Sequence, residues 1–132
     1  MNHYKRGHEV SADIVIQYIL ENEKLPLKEK RKKFTDGEFS AKIQSLRLRT
    51  FALKGLKCAR CERVGSFFAF EVAEKSHPNT NWHLNLYSID EYGQEMMMTM
   101  DHVVPKSKSG LNSLSNTQTL CSRCNFLKAD KI

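Results

Sequence analysis

A single α+β domain clasped by a metal ion is predicted from three observations. Two Cys-x-x-Cys pairs lie far apart in the chain, segments with helical and strand-like apolar spacing alternate along it, and its size suits one core. The 132 residues are 40% hydrophobic and 27% charged, which fits one modest core and excludes a disordered or collagen-like chain. The longest apolar run, Ile14 to Leu20, is broken by Gln17 and falls short of the about 20 residues that cross a bilayer. No apolar stretch follows the opening Met-Asn-His-Tyr-Lys-Arg, so no secretory signal or membrane partner is expected and the expected compartment is the cytoplasm.

The cysteines form two clasps, Cys58-Ala-Arg-Cys61 and Cys121-Ser-Arg-Cys124, with none left over. Two sulfurs three residues apart can grip one ion from a tight turn, and two such grips complete a tetrahedral S₄ site. In a reducing compartment that spacing points to structural Zn²⁺, with two redox pairs or four buried thiols as the alternatives. The ion would close a long loop and so hold other structure within it.

Taken in order, residues 1–10 read as a polar, basic arm. Ser11 is placed to cap a helix from Ala12, with Asp13 in its first turn and Val15, Tyr18 and Ile19 on one side, although the same run admits a short strand. Pro26 suits the first position of a second helix, Leu27 to about Phe34. That segment carries Lys28-Glu29-Lys30-Arg31-Lys32-Lys33, either a solvated helix face or a phosphate-tracking patch. Asp36-Gly37 marks a turn, Phe39 to Gln44 a short strand, and Leu46 to Lys54 a helix capped by Ser45 and stopped at Gly55.

Phe67 to Val72 is a strand, and residues 79–81 are a polar loop. Trp82 to Ile89 and Gln94 to Val104 are two strands joined by Asp90-Glu91-Tyr92-Gly93. Methionines 96, 97, 98 and 100 are read as adaptable core filling, not as metal ligands. A loop rich in turn formers follows Pro105, then a strand over Thr117 to Leu120 and a helix from Ser122 to the C-terminus. These elements fall into an N-terminal helical basic region, residues 1–44, packed on a core of residues 45–132 as one compact domain.

Charge is uneven. Residues 1–60 hold 14 bases and 7 acids, a balance of +7, and residues 61–132 hold 7 and 8, a balance of −1; together they give the formal +6. A basic half suggests a polyanionic partner, nucleic acid before membrane.

The last third carries an ordered constellation. It runs Met98-Thr99-Met100-Asp101-His102-Val103-Val104-Pro105-Lys106-Ser107-Lys108-Ser109-Gly110, then Leu114-Ser115-Asn116-Thr117-Gln118-Thr119-Leu120-Cys121-Ser122-Arg123-Cys124-Asn125, ending in Lys128. With Cys58 and Cys61, these residues resemble the HNH endonuclease family, in the zinc-stabilised four-cysteine branch carried by bacteriophages and mobile elements. The resemblance is dense from about residue 96 to 128, and residues 1–44 add nothing to it. It implies a ββα-metal (His-Me finger) core, one catalytic Mg²⁺ or Mn²⁺ ion, and DNA, double-stranded in the first instance, as partner. It also implies attack by water that leaves 5′-phosphate and 3′-hydroxyl ends. In this family the last position is often His, where this chain has Asn125.

Chemistry gives the same residues their reasons. Phosphodiester hydrolysis needs a base for water and a cation for developing charge. His102 is the candidate base, since imidazole takes up protons near neutral pH. Asp101 and the amide oxygen of Asn125 offer hard oxygen ligands to a divalent ion. Asn116 would tie down the loop after Pro105 and so aim His102. Neighbouring strand residues face opposite ways, so Asp101 and His102 share a site only if the strand ends or twists there. Lys106, Lys108, Arg123 and Lys128 flank the site as phosphate contacts or as solvated side chains. His83 is expected to be structural; His3, His8 and His77 receive no assignment. The alternatives to a nuclease are a zinc-containing module that binds nucleic acid without cutting it, and a phage protein-interaction factor. Cutting both strands would require a homodimer or a second encounter, and no dimer interface is legible.

Overall fold

The computed structural model describes residues 4–74 and 81–129. Within them the chain forms β1 (Tyr4–Ser11), α1 (Ala12–Glu23), β2 (Lys33–Asp36), β3 (Phe39–Lys42), α2 (Leu46–Lys54), β4 (Phe67–Ala73), β5 (His83–Ile89), β6 (Glu95–His102), β7 (Thr117–Cys121) and α3 (Ser122–Ala129). The architecture is mixed, with three helices, an antiparallel five-stranded sheet in the order β1-β4-β5-β6-β7, and a separate β2-β3 hairpin. None of the described helices is long and apolar enough to cross a membrane. His3, His77 and the expected loop at 79–80 lie outside the described residues, as does any extension of α3 beyond Ala129.

Alternation along the strands sorts the sheet into two faces. One face sends Phe68, Phe70, Leu84, Leu86 and Met98 into the main core, where they meet Val15 and Ile19 of α1 and Leu48 and Phe51 of α2. The other gathers Phe67, Ala69 and Tyr87 into a small cluster with Met97 against it. Of the four methionines of β6, Met98 is 1% exposed and the others are half-buried, so core filling describes Met98 and in part its neighbours.

Local chemistry fixes α2 as its sequence predicts. The Ser45 hydroxyl accepts from the Leu48 N–H, and Gly55 ends the helix at φ +110°, a conformation that favours glycine. The Asp90–Gln94 turn likewise joins β5 to β6, with the Asp90 carboxylate accepting from Tyr92 and Gln94 N–H.

The N-terminal region departs from the helical reading in two places. Residues 4–11 are no loose arm: they pair with β4 from Tyr4↔Ala73 to Ser11↔Phe67, through a bulge between Arg6 and Glu9. Arg6 fastens this edge, donating to buried Glu71 at 2.8 Å and to Glu95 at 2.9 and 3.0 Å while lying over the Tyr87 ring. The helix expected from Leu27 to Phe34 is only a 3₁₀ turn over Leu27–Glu29. Beyond it Asn22 brackets the backbone of Arg31, accepting from its N–H at 2.6 Å and donating to its carbonyl at 2.8 Å. Lys30 Nζ meanwhile caps the α1 carbonyls of Asn22 and Glu23. The chain is thereby held extended and Phe34 enters the core. The basic cluster is thus spread over a turn and a strand, and forms no continuous helix face.

Candidate active site

The four cysteines converge although their clasps are distant in sequence. Their Sγ atoms lie within 4.8 Å of one another, with Cys61 exposed and Cys58, Cys121 and Cys124 buried. Cys61 and Cys121 sulfurs are 3.6 Å apart. A tetrahedral zinc–thiolate centre with bonds of about 2.3 Å sets its sulfurs roughly 3.8 Å apart, so the donor set fits that ion in type and spacing. Backbone groups support it: Cys124 N–H donates to Cys121 Sγ, and Ala59 N–H joins the first clasp to Thr119 O of β7 at 2.9 Å. Desolvation opposes ionisation of Cys58, yet the N–H groups of Cys121, Cys61 and Arg60 outweigh it and bring the thiol to about 6. Burial pushes Cys124 up to about 12. A cation shared by the four sulfurs would offset the burial that opposes ionisation of Cys124.

The cysteine cluster lies where β7 meets α3, and β7 pairs with β6. Register pairs Asp101 with Gln118 and His102 with Thr117, and the strand ends there. Asp101 and His102 both line one open cleft of ≈ 370 Å³, together with Met100, Pro105, Lys106, Asn125 and Lys128. The end of the strand lets neighbouring residues share a cavity despite the pleat. α3 covers the Thr99 and Asp101 side of β6: Asn125 Nδ2 donates to Thr99 Oγ1 at 2.9 Å, and Lys128 Nζ donates to Asp101 Oδ2 at 2.6 Å. Gln118 also uses Oδ2, so among the described residues Asp101 Oδ1 and Asn125 Oδ1 carry no hydrogen bond. These are hard oxygens of the type a divalent ion takes.

Asn116, 8% exposed, lies behind the cleft. Its amide accepts from Val104 N–H at 2.9 Å and donates to Val104 O and Leu111 O at 3.0 and 2.8 Å. One side chain thus holds both ends of the loop after His102. Gly110 completes this loop, because a Cβ there would fall 1.8 Å from Val104 O.

Asn112, which sequence reasoning missed, lies 2.8 Å from His102 Nε2 through its Oδ1. An amide oxygen only accepts, so Nε2 carries the proton and Nδ1 is the basic nitrogen of the neutral ring. Asn112 sits in a loop rich in turn formers, where nothing local distinguishes it. Gln118, Thr99 and the Lys128 contact to Asp101 were also missed, since each depends on register or on helix placement. Lys108 and Arg123 are exposed and do not line the cleft. His83, also exposed, lines a second cleft of ≈ 410 Å³ with Arg47, Glu71 and Asn85, which shares Met100 with the first. It opens where β5 and β6 part, as their pairing runs only from Tyr87↔Met97 to Ile89↔Glu95. His8 bonds Asp36 on the surface.

The model of the HNH endonuclease family matches residues 88–131. Over that stretch, about a third of its length, the chain is similar to the HNH family. No curated protein and no solved structure matches the chain. The HNH match spans β6, the loop held by Asn116, β7, the second cysteine clasp and α3. Cys58 and Cys61 come from outside it, so the cysteine cluster ties the matched stretch to an earlier part of the chain.

Proposed function

We propose that the protein is a metal-dependent endonuclease that nicks or cuts DNA at the Asp101–His102 cleft, with zinc held by Cys58, Cys61, Cys121 and Cys124. The observation that carries this reading is the coincidence of the HNH match with a cleft lined by Asp101, His102 and Asn125. Four thiolates leave a zinc ion no open position for substrate, so its part is structural. β6, β7 and α3 would be the ββα-metal core, with residues 45–132 the nuclease core and residues 1–44 packed on it.

In this reading His102 Nδ1 takes the proton of the attacking water, and Asn112 keeps the ring in the tautomer that can do so. Asn116 acts one step removed, fixing the loop that carries Asn112 and Pro105. Asp101 and Asn125 would hold Mg²⁺ or Mn²⁺ by their free oxygens; such an ion, when bound, stabilises charge on the phosphate and the leaving oxygen. Lys106 borders the cleft and supplies a phosphate contact, while Lys108 and Arg123 extend positive charge along the backbone path.

The test is a supercoiled plasmid incubated at low salt with zinc-loaded protein, with and without Mg²⁺ or Mn²⁺. Relaxation that requires the added ion, and nicks that DNA ligase reseals because they carry 5′-phosphate and 3′-hydroxyl ends, are expected. DNA that is shifted in a gel but stays supercoiled would replace this reading with a non-cleaving binding module.

A further inference from the structure

Lys128 brings a cation to the carboxylate that a divalent ion would need. Its Nζ donates to Asp101 Oδ2 at 2.6 Å and to the carbonyls of His102 and Val103 at 2.8 and 3.5 Å. The ammonium is therefore ringed by oxygens in the manner of a bound ion. The pair is sheltered, with Lys128 21% and Asp101 11% exposed. Asp101 is also the sole carboxylate among the residues lining this cleft. Its single negative charge is already matched, so a dication arriving there meets a neutral site with a positive charge a few ångströms away. Coulomb repulsion over that distance in a half-buried setting suffices to change affinity severalfold.

Lysine is suited to leave. Its charge sits on a flexible four-carbon stem, unlike the planar fork of arginine, and it rises from the last turn of α3 beside the mouth of the cleft. A phosphate entering past Lys106 would offer that ammonium a second anion. Building on the nuclease reading above, we propose that Lys128 is a positioning residue that serves as the resident counter-ion of Asp101. It keeps divalent affinity low in the free protein and yields its place when a DNA phosphate arrives, so that metal and DNA load together. By linkage, DNA tightens metal binding and metal tightens DNA binding by the same factor. The contact with Asp101 and a contact with phosphate are then two states of one side chain.

The experiment measures Mn²⁺ binding through the electron paramagnetic resonance signal of free Mn²⁺. It uses zinc-loaded full chain in a His102→Ala background, which prevents cleavage, with and without a short duplex and with a duplex-only control. Lys128→Met should bind Mn²⁺ about tenfold more tightly than the parent when DNA is absent. Addition of duplex should strengthen Mn²⁺ binding in the parent and do so much less in Lys128→Met. Without DNA, Lys128→Arg, which keeps the charge, should stay close to the parent. Equal or weaker Mn²⁺ binding by a folded Lys128→Met protein overturns the proposal, as does a duplex effect that the substitution leaves unchanged. Should Lys128→Met not fold, Lys128→Gln is read by the same criteria. If neither parent nor variant binds Mn²⁺ even with duplex present, the divalent site at Asp101 itself is wrong, a failure of the nuclease reading distinct from failure of the counter-ion.

Discussion

The half of the molecule built on β1, β4, β5, α1 and α2 is held mainly by apolar burial, whereas the β6–β7–α3 end, which gives Met98 and Leu120 to the same core, leans far more on polar ties. Phe51, Phe68, Phe70 and Leu86 are fully buried in the first. In the second, Val103, Val104, Leu111, Phe126 and Leu127 stay exposed, and position comes from Asn116, from the Lys128–Asp101 pair and from four converging cysteines. An apolar core tolerates approximate placement, because the hydrophobic effect is non-directional. Hydrogen bonds and metal–sulfur bonds demand particular atoms at particular distances. The end of the molecule with the cleft is thus the one built from directional contacts, which suits a site whose groups must meet a reacting atom.

The largest break in that contrast should come from the cysteines. Zinc binding to such sites is worth on the order of 10 kcal/mol and acts as folding energy. Chelation, or Cys121→Ser, is expected to abolish the cooperative melt and leave little soluble protein. A Cys121→Ser protein that melts like the parent would remove the zinc staple from the account.

Single side chains in the two halves should then differ in kind. Phe68→Ala is expected to cost about 4 kcal/mol while leaving zinc content and cleft chemistry intact in what remains folded. Asn116→Ala removes three hydrogen bonds to one loop and should cost about 2 kcal/mol, yet lower plasmid nicking by more than tenfold. Melting curves and rates measured on the same preparations check both. Equal loss of nicking per unit of lost stability in the two variants would erase the distinction.

Much of the cleft end was legible in sequence for the same reason that it is fragile: its parts are specific residue types at fixed spacings. Cys121 and Cys124 and Asp101-His102 each carry a local chemical signal, as Ser45 and Gly55 do for α2 in the other half. The missed parts depend on partners elsewhere. β1 reads as an arm because only Val10 among its residues is buried, and its pairing with β4 leaves no apolar alternation. The Lys-rich segment after Pro26 reads as a helix from composition, but Asn22 and the need to seat Phe34 hold it extended. Asn112 and Gln118 reach the site through a loop closure and a strand register that no run of residues announces.

A smaller effect probes the seam between α1 and α2. The hydrogen bond from Arg49 holds the Glu23 carboxyl below its ordinary range, against the opposing pull of desolvation. A depressed carboxyl contributes stability that is present above its unfolded pKa and lost as pH falls through its folded value. Glu23→Gln should therefore lower the melting temperature slightly at neutral pH, with the difference from wild type closing in acid. A difference that persists unchanged at low pH would contradict this.

The most direct test compares wild type with His102→Ala, both zinc-loaded and with matching melting curves, on supercoiled plasmid with Mg²⁺ or Mn²⁺. The account predicts nicked or linear DNA from wild type alone, at full zinc content in both proteins. Equal cleavage by the two would contradict it, because the base at the end of β6 would then not be His102.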